Sequence, residues 1–197
     1  MRVSRTAAVV CLIPAALILV ACGDALPDEP SAGTPSAASA DPSDAGSDTP
    51  GEVGLRACAS ADLAVDMTIQ DAGLALLALT NNGAATCGLD GWATLAFESA
   101  DRSLVEVAQR QVEQPGPPVA AELDPGESAF AGVKWDSCDP GSSDCGVATT
   151  VRVGAPGDSA TVVARVIGVD GTEVVRLLVA NLQIGSIQPS TQGVVAW

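Results

Sequence analysis

The chain has 197 residues, of which 24 are acidic and 9 are basic, giving a formal net charge of −15 at pH 7. Phosphates of nucleic acids and anionic lipid headgroups repel such a chain, so the composition argues against nucleic acid and electrostatic membrane partners. The chain contains no histidine. Ser-His-Asp triads, Cys-His pairs and histidine metal ligands are therefore excluded.

Residues 1–21 have the organisation of a secretory signal peptide. Arginines precede an apolar run over residues 7–21, and small residues come directly before Cys22. The run contains Pro14 and is shorter than the about 20 apolar residues that a spanning helix needs. The segment is therefore predicted to be removed on export rather than to remain as a transmembrane anchor.

The signal ends in a motif that predicts a lipid attachment site. Residues 19–22 are Leu-Val-Ala-Cys, which resembles the lipobox of bacterial lipoproteins, where cleavage leaves a lipidated cysteine as the new N-terminus. We therefore predict a lipid such as palmitate on Cys22 and a location on the extracytoplasmic face of the cell membrane. A plain secretory signal followed by a coincidental cysteine is the alternative.

Residues 22–54 predict a linker behind that cysteine. From Gly23 to Gly54 the chain consists mainly of Pro, Ser, Ala, Gly and acidic residues, with no aromatic residue and no lysine or arginine. Such a segment buries too little apolar surface to offset its ordering entropy, and its carboxylates repel one another. We expect a disordered acidic tether that holds the next domain away from the membrane.

Residues 55–197 are predicted to form a single β domain. Apolar residues alternate with polar ones over residues 62–70, as in a half-buried strand. Residues 73–80 are apolar on both faces, which favours a central strand over a short helix. Further strands are predicted at 92–98, 104–109, 120–123, 128–135, 149–153, 160–169 and 173–182. About seven to nine short strands at this spacing predict an antiparallel, immunoglobulin-like β-sandwich, with an open barrel as the alternative.

Turn residues separate the predicted strands. Asp170 and Gly171 lie between two β-rich runs and predict a hairpin. A tight turn is expected at residues 124–126, where proline presets φ before a glycine. Residues 81–83, Asn-Asn-Gly, are expected to supply positive φ at the end of a strand.

The cysteines predict disulfides rather than a metal site. Of the six cysteines, Cys11 would leave with the signal and Cys22 would carry lipid. The remaining four, an even number in an exported domain, allow several pairings. We favour two bonds, Cys58–Cys87 and Cys138–Cys145. Without a CxxC motif or a histidine, no zinc site is expected.

Several motifs taken in order resemble the secreted bacterial family known as domain of unknown function 4232. They are Cys58 with residues 62–63, residues 79–82, residues 86–92, residues 123–129, residues 134–135 and Cys138. The resemblance covers roughly residues 57–185 and implies a secreted domain, often behind a lipobox and a Pro/Ser/Ala-rich linker. Members often carry their fourth cysteine near the C-terminus, whereas here it is Cys145. The activity of that family is unknown.

The tryptophans and one acidic loop are the remaining candidates for a site. Trp92 and Trp135 are expected to fill the core, with an aromatic platform for sugar or peptide as the alternative. Asp136, Asp139 and Asp144 lie in the loop that a Cys138–Cys145 bond would close, and their oxygens are a weak candidate for Ca²⁺. A solvated loop is the preferred interpretation, because EF-hand spacing is absent.

The sequence predicts no catalytic site and no cofactor. A Ser-Lys dyad would require Lys134, the only lysine, which lies within a predicted strand. We therefore expect a noncatalytic module that binds or organises other cell-envelope components, with an envelope protein or glycan as partner. The alternative is a hydrolase that cleaves cell-wall or extracellular glycans through two carboxylates.

Overall fold

The computed structural model describes residues 55–197, which form strands, turns and one short 3-10 helix, Ser60–Asp62. The predicted signal peptide, Cys22 and the predicted linker at 22–54 lie outside the described residues. The strands are β1 (Leu63–Asp71), β2 (Leu74–Asn81), β3 (Cys87–Leu89), β4 (Thr94–Glu98), β5 (Leu104–Val105), β6 (Gln109–Val112), β7 (Ala121–Leu123), β8 (Ser128–Asp136), β9 (Gly146–Ala148), β10 (Thr150–Gly154), β11 (Val162–Ile167) and β12 (Leu177–Gly185).

These strands form one large sheet and one small one. The large sheet runs in the order β5-β4-β10-β11-β1-β2-β8-β12-β6, with β9 beside β12, and β3 pairs with β7 in the small sheet. Most neighbours are antiparallel, but β1 and β11 are parallel, as are β6 and β12. Buried side chains from both halves of the large sheet join one core. The predicted all-β sandwich is therefore confirmed, with additional short strands at β3, β6 and β9.

The two-residue periodicity at the start of the domain forms the centre of the sheet. In β1, Leu63, Val65 and Met67 are buried while the intervening residues are more exposed. Strand β2 lies between β1 and β8, and Leu77 pairs directly with Met67. Both side chains are fully buried. The strand prediction for 73–80 is therefore confirmed, and the short-helix alternative is wrong.

The predicted hairpin at Asp170 and Gly171 forms, but it is short, with an antiparallel bridge between Ile167 and Glu173. Gly171 has φ +79°, and the N–H of Gly168 donates to the carbonyl of Thr172 at 2.7 Å. The following strand starts only at Leu177 and pairs with β8, β9 and β6 rather than with β11. The N–H of Val174 donates to the carbonyl of Val166 at 2.9 Å, but β10 already pairs with β11 over residues 162–164, so the hairpin cannot extend further along this strand.

Both disulfide predictions are confirmed. Cys58 bonds to Cys87 with the Cα atoms 4.9 Å apart, which ties the start of the described chain to β3. Cys138 bonds to Cys145 with the Cα atoms 5.5 Å apart and closes the loop between β8 and β9. Each bond restrains the unfolded chain and thereby stabilises the native state.

Asn81 has a different role from the predicted one. Within residues 81–83, no residue has positive φ. Instead the fully buried Asn81 side chain donates from Nδ2 to the carbonyls of Ala85 and Leu123, each at 2.9 Å. Its Oδ1 accepts the N–H of Gly83 at 2.9 Å. The side chain therefore supplies three of the hydrogen bonds that hold the turn after β2.

Trp197, for which the sequence predicts no role, packs at the C-terminus against β8. The Nζ of Lys134 lies 5.7 Å from the centroid of the Trp197 ring, a distance typical of a cation–π contact. A Cβ at Gly132 would overlap the carbonyl of Val194 and would lie 2.9 Å from Trp197 Nε1. The glycine therefore allows the C-terminal chain to lie directly against the strand.

Candidate functional site

Strands β4 and β6 lie near opposite ends of the strand order of the large sheet, yet both line one opening. We call this opening the seam and define it as residues 93–95 at β4 together with residues 109–111 in β6. A hollow of about 380 Å³ lies between them, within the range of about 300–1,000 Å³ that is typical of ligand sites. One side-chain bond crosses the seam, from Gln109 Nε2 to the carbonyl of Leu95 at 3.1 Å.

Both ends of the seam are closed by packing and hydrogen bonds. At one end Trp92 Nε1 donates to the carbonyl of Val112 at 2.9 Å, and the N–H of Ile187 donates to Gly91 at 2.9 Å. At the other end a Cβ at Gly146 would lie 2.7 Å from Val105 Cγ1, so β9 and β5 pack closely. The opening is therefore confined to a short central stretch.

The strand edges that face the seam carry backbone groups outside the ladders of the sheet. Strand β4 pairs with β10 along its whole length, but β5 covers only Phe97 and Glu98 on its other edge. In β6, Leu182 is the register partner of Gln109, and its N–H donates to the carbonyl of Ala108 at 2.8 Å. In a parallel ladder this pattern directs the backbone groups of Gln109 and Gln111 away from β12.

Arg110 connects the seam to a second hollow on the other side of β6. That hollow, of about 400 Å³, is lined by Arg110 and Gln109 together with Asp136 and residues 181–183. Among residues 55–197, the ion pairs join Arg56–Asp62, Arg152–Glu98 and Arg165–Asp66. Arg110 therefore lines two hollows and forms no ion pair with a carboxylate of the described residues.

A bulge in β12 shapes the second hollow. The register with β8 shifts between Ala180 and Gln183, and Asn181 has φ +48°. The Nδ2 of Asn181 donates to Asp136 Oδ2 at 2.9 Å. Asparagine tolerates the left-handed region better than other non-glycine residues. Here the Asn181 amide also holds the carboxylate of Asp136 in place beside the hollow.

The candidate calcium ligands do not form a group. In residues 55–197, no cluster of three acidic or cysteine side chains is close enough to hold a metal ion. The carboxylate of Asp136 accepts the Asn181 bond, and the carboxylate of Asp144 accepts the hydroxyl of Ser143 at 2.9 Å. The backbone carbonyl of Asp139 accepts the N–H of Ser142 at 3.1 Å.

The aromatic side chains do not form an exposed platform. Trp135 is only 5% exposed and belongs to the core. Trp92 is half-buried and packs against that core, and its Nε1 bonds to Val112. None of the aromatic residues between 55 and 197 is among the exposed large hydrophobics. The predicted packing role of Trp92 and Trp135 therefore describes them better than a sugar platform does.

A third hollow, of about 360 Å³, contains two carboxylates. Glu122 and Glu127 line it together with Phe130 and Pro189. The Oε2 of Glu127 accepts the N–H of Asp124 at 3.0 Å, so this carboxylate also fastens the turn between β7 and β8.

The carboxylates with lowered pKa values lie at turns rather than in the hollows. The N–H groups of Ala160 and Ser60 donate to Asp158 and lower its pKa. The Ser99 hydroxyl, with help from Ser103, lowers the pKa of Asp101 to about 2. Hydrogen bonds from Thr172 lower the pKa of Asp170. Each carboxylate caps backbone donors, which is a structural task.

Sequence reasoning missed the seam. Its Gln-Arg-Gln run begins at the last residue of the predicted strand 104–109, which the structure divides into β5 and β6. A signal was available, because three consecutive long polar residues break the apolar alternation there. Only the pairing of β6 with β12, distant in sequence, brings this run opposite β4.

Comparison with known protein families agrees with the motif order. The family model described as domain of unknown function (DUF4232) matches residues 58–188. The chain belongs to this family. The matched segment contains β1 to β12 and both edges of the seam.

The other comparisons found no further relative. No curated protein and no solved structure matches the chain. Within residues 55–197, no helix is long and apolar enough to cross a membrane.

Proposed function

We propose that this DUF4232 protein is a membrane-anchored extracytoplasmic lipoprotein whose folded domain is a noncatalytic binding module of the cell envelope. The observation that carries the binding role is the pair of hollows beside β6, which share Gln109 and Arg110, an arginine in none of the ion pairs formed within residues 55–197. Amide side chains and one cation can bind a polar ligand. Of the residues lining these two hollows, Asp136 is the only acidic one, which leaves no carboxylate pair for glycoside cleavage.

The anchoring half of the proposal rests on the sequence, and two cysteines provide a matched test. Cys22→Ala should abolish palmitate labelling and release the protein from membranes, because the lipid supplies about 0.8 kcal/mol for each buried methylene. Cys11→Ala is the control, since Cys11 leaves with the signal and its loss should change neither readout. Membrane retention of the Cys22→Ala protein would contradict the lipid anchor.

Site-directed photocrosslinking in intact cells tests the binding half. A photoreactive side chain at Gln111, in the seam, should give a reproducible crosslinked product. The same side chain at Val163, which is 57% exposed on β11, is the control and should give none. Identical products from both positions, or no product from Gln111, would contradict binding through the β6 hollows.

A glycan hydrolase is the second candidate function, favoured by one observation. Glu122 and Glu127 line a single hollow, and paired carboxylates are the usual catalytic groups of glycosidases. Purified protein incubated with peptidoglycan should release new reducing ends if this candidate is right. Glu122→Gln and Glu127→Gln should each abolish that release, whereas Glu106→Gln, at an exposed position, should not. An inactive wild-type protein supports the noncatalytic module.

A further inference from the structure

We infer that the seam is a docking site for a short extended segment of a partner protein, which adds to the edge of β6 that no strand of residues 55–197 pairs with and places an acidic side chain against Arg110. The inference rests on the proposed binding function and names its site and its class of ligand. The partner is a polypeptide, since the seam offers main-chain hydrogen-bonding groups rather than an aromatic surface.

The backbone of β6 supplies the first argument. One edge of β6 pairs with β12, and the other edge directs the groups of Gln109 and Gln111 toward the seam. Unpaired strand edges bind extended chains through main-chain hydrogen bonds. The carbonyl of Leu95 faces the same opening, where Gln109 Nε2 donates to it.

The width and length of the seam supply the second argument. Gln109 Nε2 reaches the carbonyl of Leu95 at 3.1 Å, but among residues 55–197 no main-chain hydrogen bond joins β4 to β6, so the two edges are not paired at the strand spacing of about 4.8 Å. Because both ends are closed, the open stretch covers only residues 109–111 of β6. An extended segment of about three residues, about 10 Å long, matches this stretch.

Charge supplies the third argument. Arg110 is exposed and takes part in none of the ion pairs found in residues 55–197. A carboxylate on the ligand would supply the ion-pair partner that Arg110 does not find among residues 55–197. Arginine binds carboxylates with two parallel hydrogen bonds. The net charge of −15 repels polyanions. The ligand is therefore a peptide with a single acidic side chain at the seam, rather than a phosphate-rich polymer.

The test selects peptides against the intact protein. Full-length lipoprotein in phospholipid nanodiscs is the target for a displayed library of ten random residues between Gly-Ser flanks. Selected peptides should contain an acidic residue among β-forming ones. In NMR spectra, the bound peptide should shift the backbone amides of Gln109, Gln111 and Leu95.

Three variants separate the backbone and charge contributions. Arg110→Gln should weaken binding of the selected peptides at least about tenfold, while Arg176→Gln, which removes an exposed charge outside the hollows, should leave it unchanged. Gln111→Pro removes an N–H that faces the seam and not β12, so the strand should still form and binding should fall. Peptides that are N-methylated at residues whose N–H groups face β6 should lose binding. Peptides that are N-methylated on the opposite edge should still bind.

The outcomes distinguish this inference from the proposed function. A library that yields no enriched peptide, or peptides that bind wild type and Arg110→Gln equally, overturns the seam as a peptide site. Crosslinking from Gln111 in cells would still support a binding module in that case. Because Arg110→Gln alters only an exposed side chain, this arm remains decisive even if Gln111→Pro fails to fold.

Discussion

Replacing Asn81 with alanine should destabilise the domain far more than an ordinary change at the end of a strand. The side chain is fully buried and makes three hydrogen bonds, to Ala85, Leu123 and Gly83, each at 2.9 Å. A buried hydrogen bond contributes about 1 kcal/mol net, and an orphaned buried partner costs about 1–3 kcal/mol. We therefore expect Asn81→Ala to lower the free energy of unfolding by about 3–5 kcal/mol.

Urea denaturation followed by tryptophan fluorescence measures this change. Asn82→Ala is the matched control, because Asn82 is the exposed neighbour and should change stability by less than about 0.5 kcal/mol. Asn81→Asp is a second probe, since it keeps an acceptor for Gly83 but turns an oxygen toward the carbonyls of Ala85 and Leu123. A loss below about 1 kcal/mol for Asn81→Ala would refute the hydrogen-bond account of this turn.

Three further substitutions test other parts of the fold. Gly132→Ala should cost about 1–3 kcal/mol by overpacking and change Trp197 fluorescence, whereas Gly116→Ala, with open space around it, should do neither. Ser60→Ala should cost about 1–3 kcal/mol in urea denaturation, because its Oγ accepts a buried N–H at 2.8 Å; an unchanged urea midpoint would argue against that bond. Folding lowers the pKa of Asp158, so its carboxylate stabilises the native state above about pH 4 and loses this effect as pH falls through the folded pKa. The deficit of Asp158→Asn should therefore shrink between about pH 7 and about pH 2, and a constant deficit would contradict the assignment.

Local patterns predicted much of the β-structure correctly. Alternation over residues 62–70 and the apolar run at 73–80 identified β1 and β2, because side chains of a strand alternate between its two faces. The prediction for residues 173–182 was poorer. Local turn chemistry indicated a hairpin partner for β11, but only residues 173 and 174 pair with it, because β10 already pairs with β11 over residues 162–164.

The prediction for Asn81 failed for a related reason. Asparagine at a strand end is typical of a turn with positive φ, and the local sequence contains no sign of Leu123 as a partner. That partner lies on β7, far along the chain. The whole fold buries Asn81, and its side-chain amide therefore acts by making hydrogen bonds rather than by allowing a positive φ.

The sequence by itself determined the β class, the membership of the cysteines in two disulfides and the absence of histidine-based chemistry, because these depend on residue type and local period. Only the tertiary structure decided where a ligand could bind. The seam exists because β6 pairs with β12 while β4 pairs with β10, which leaves two edges opposite each other around Arg110. Such pairings join residues distant along the chain, and their geometry follows from how the whole sheet closes around its core.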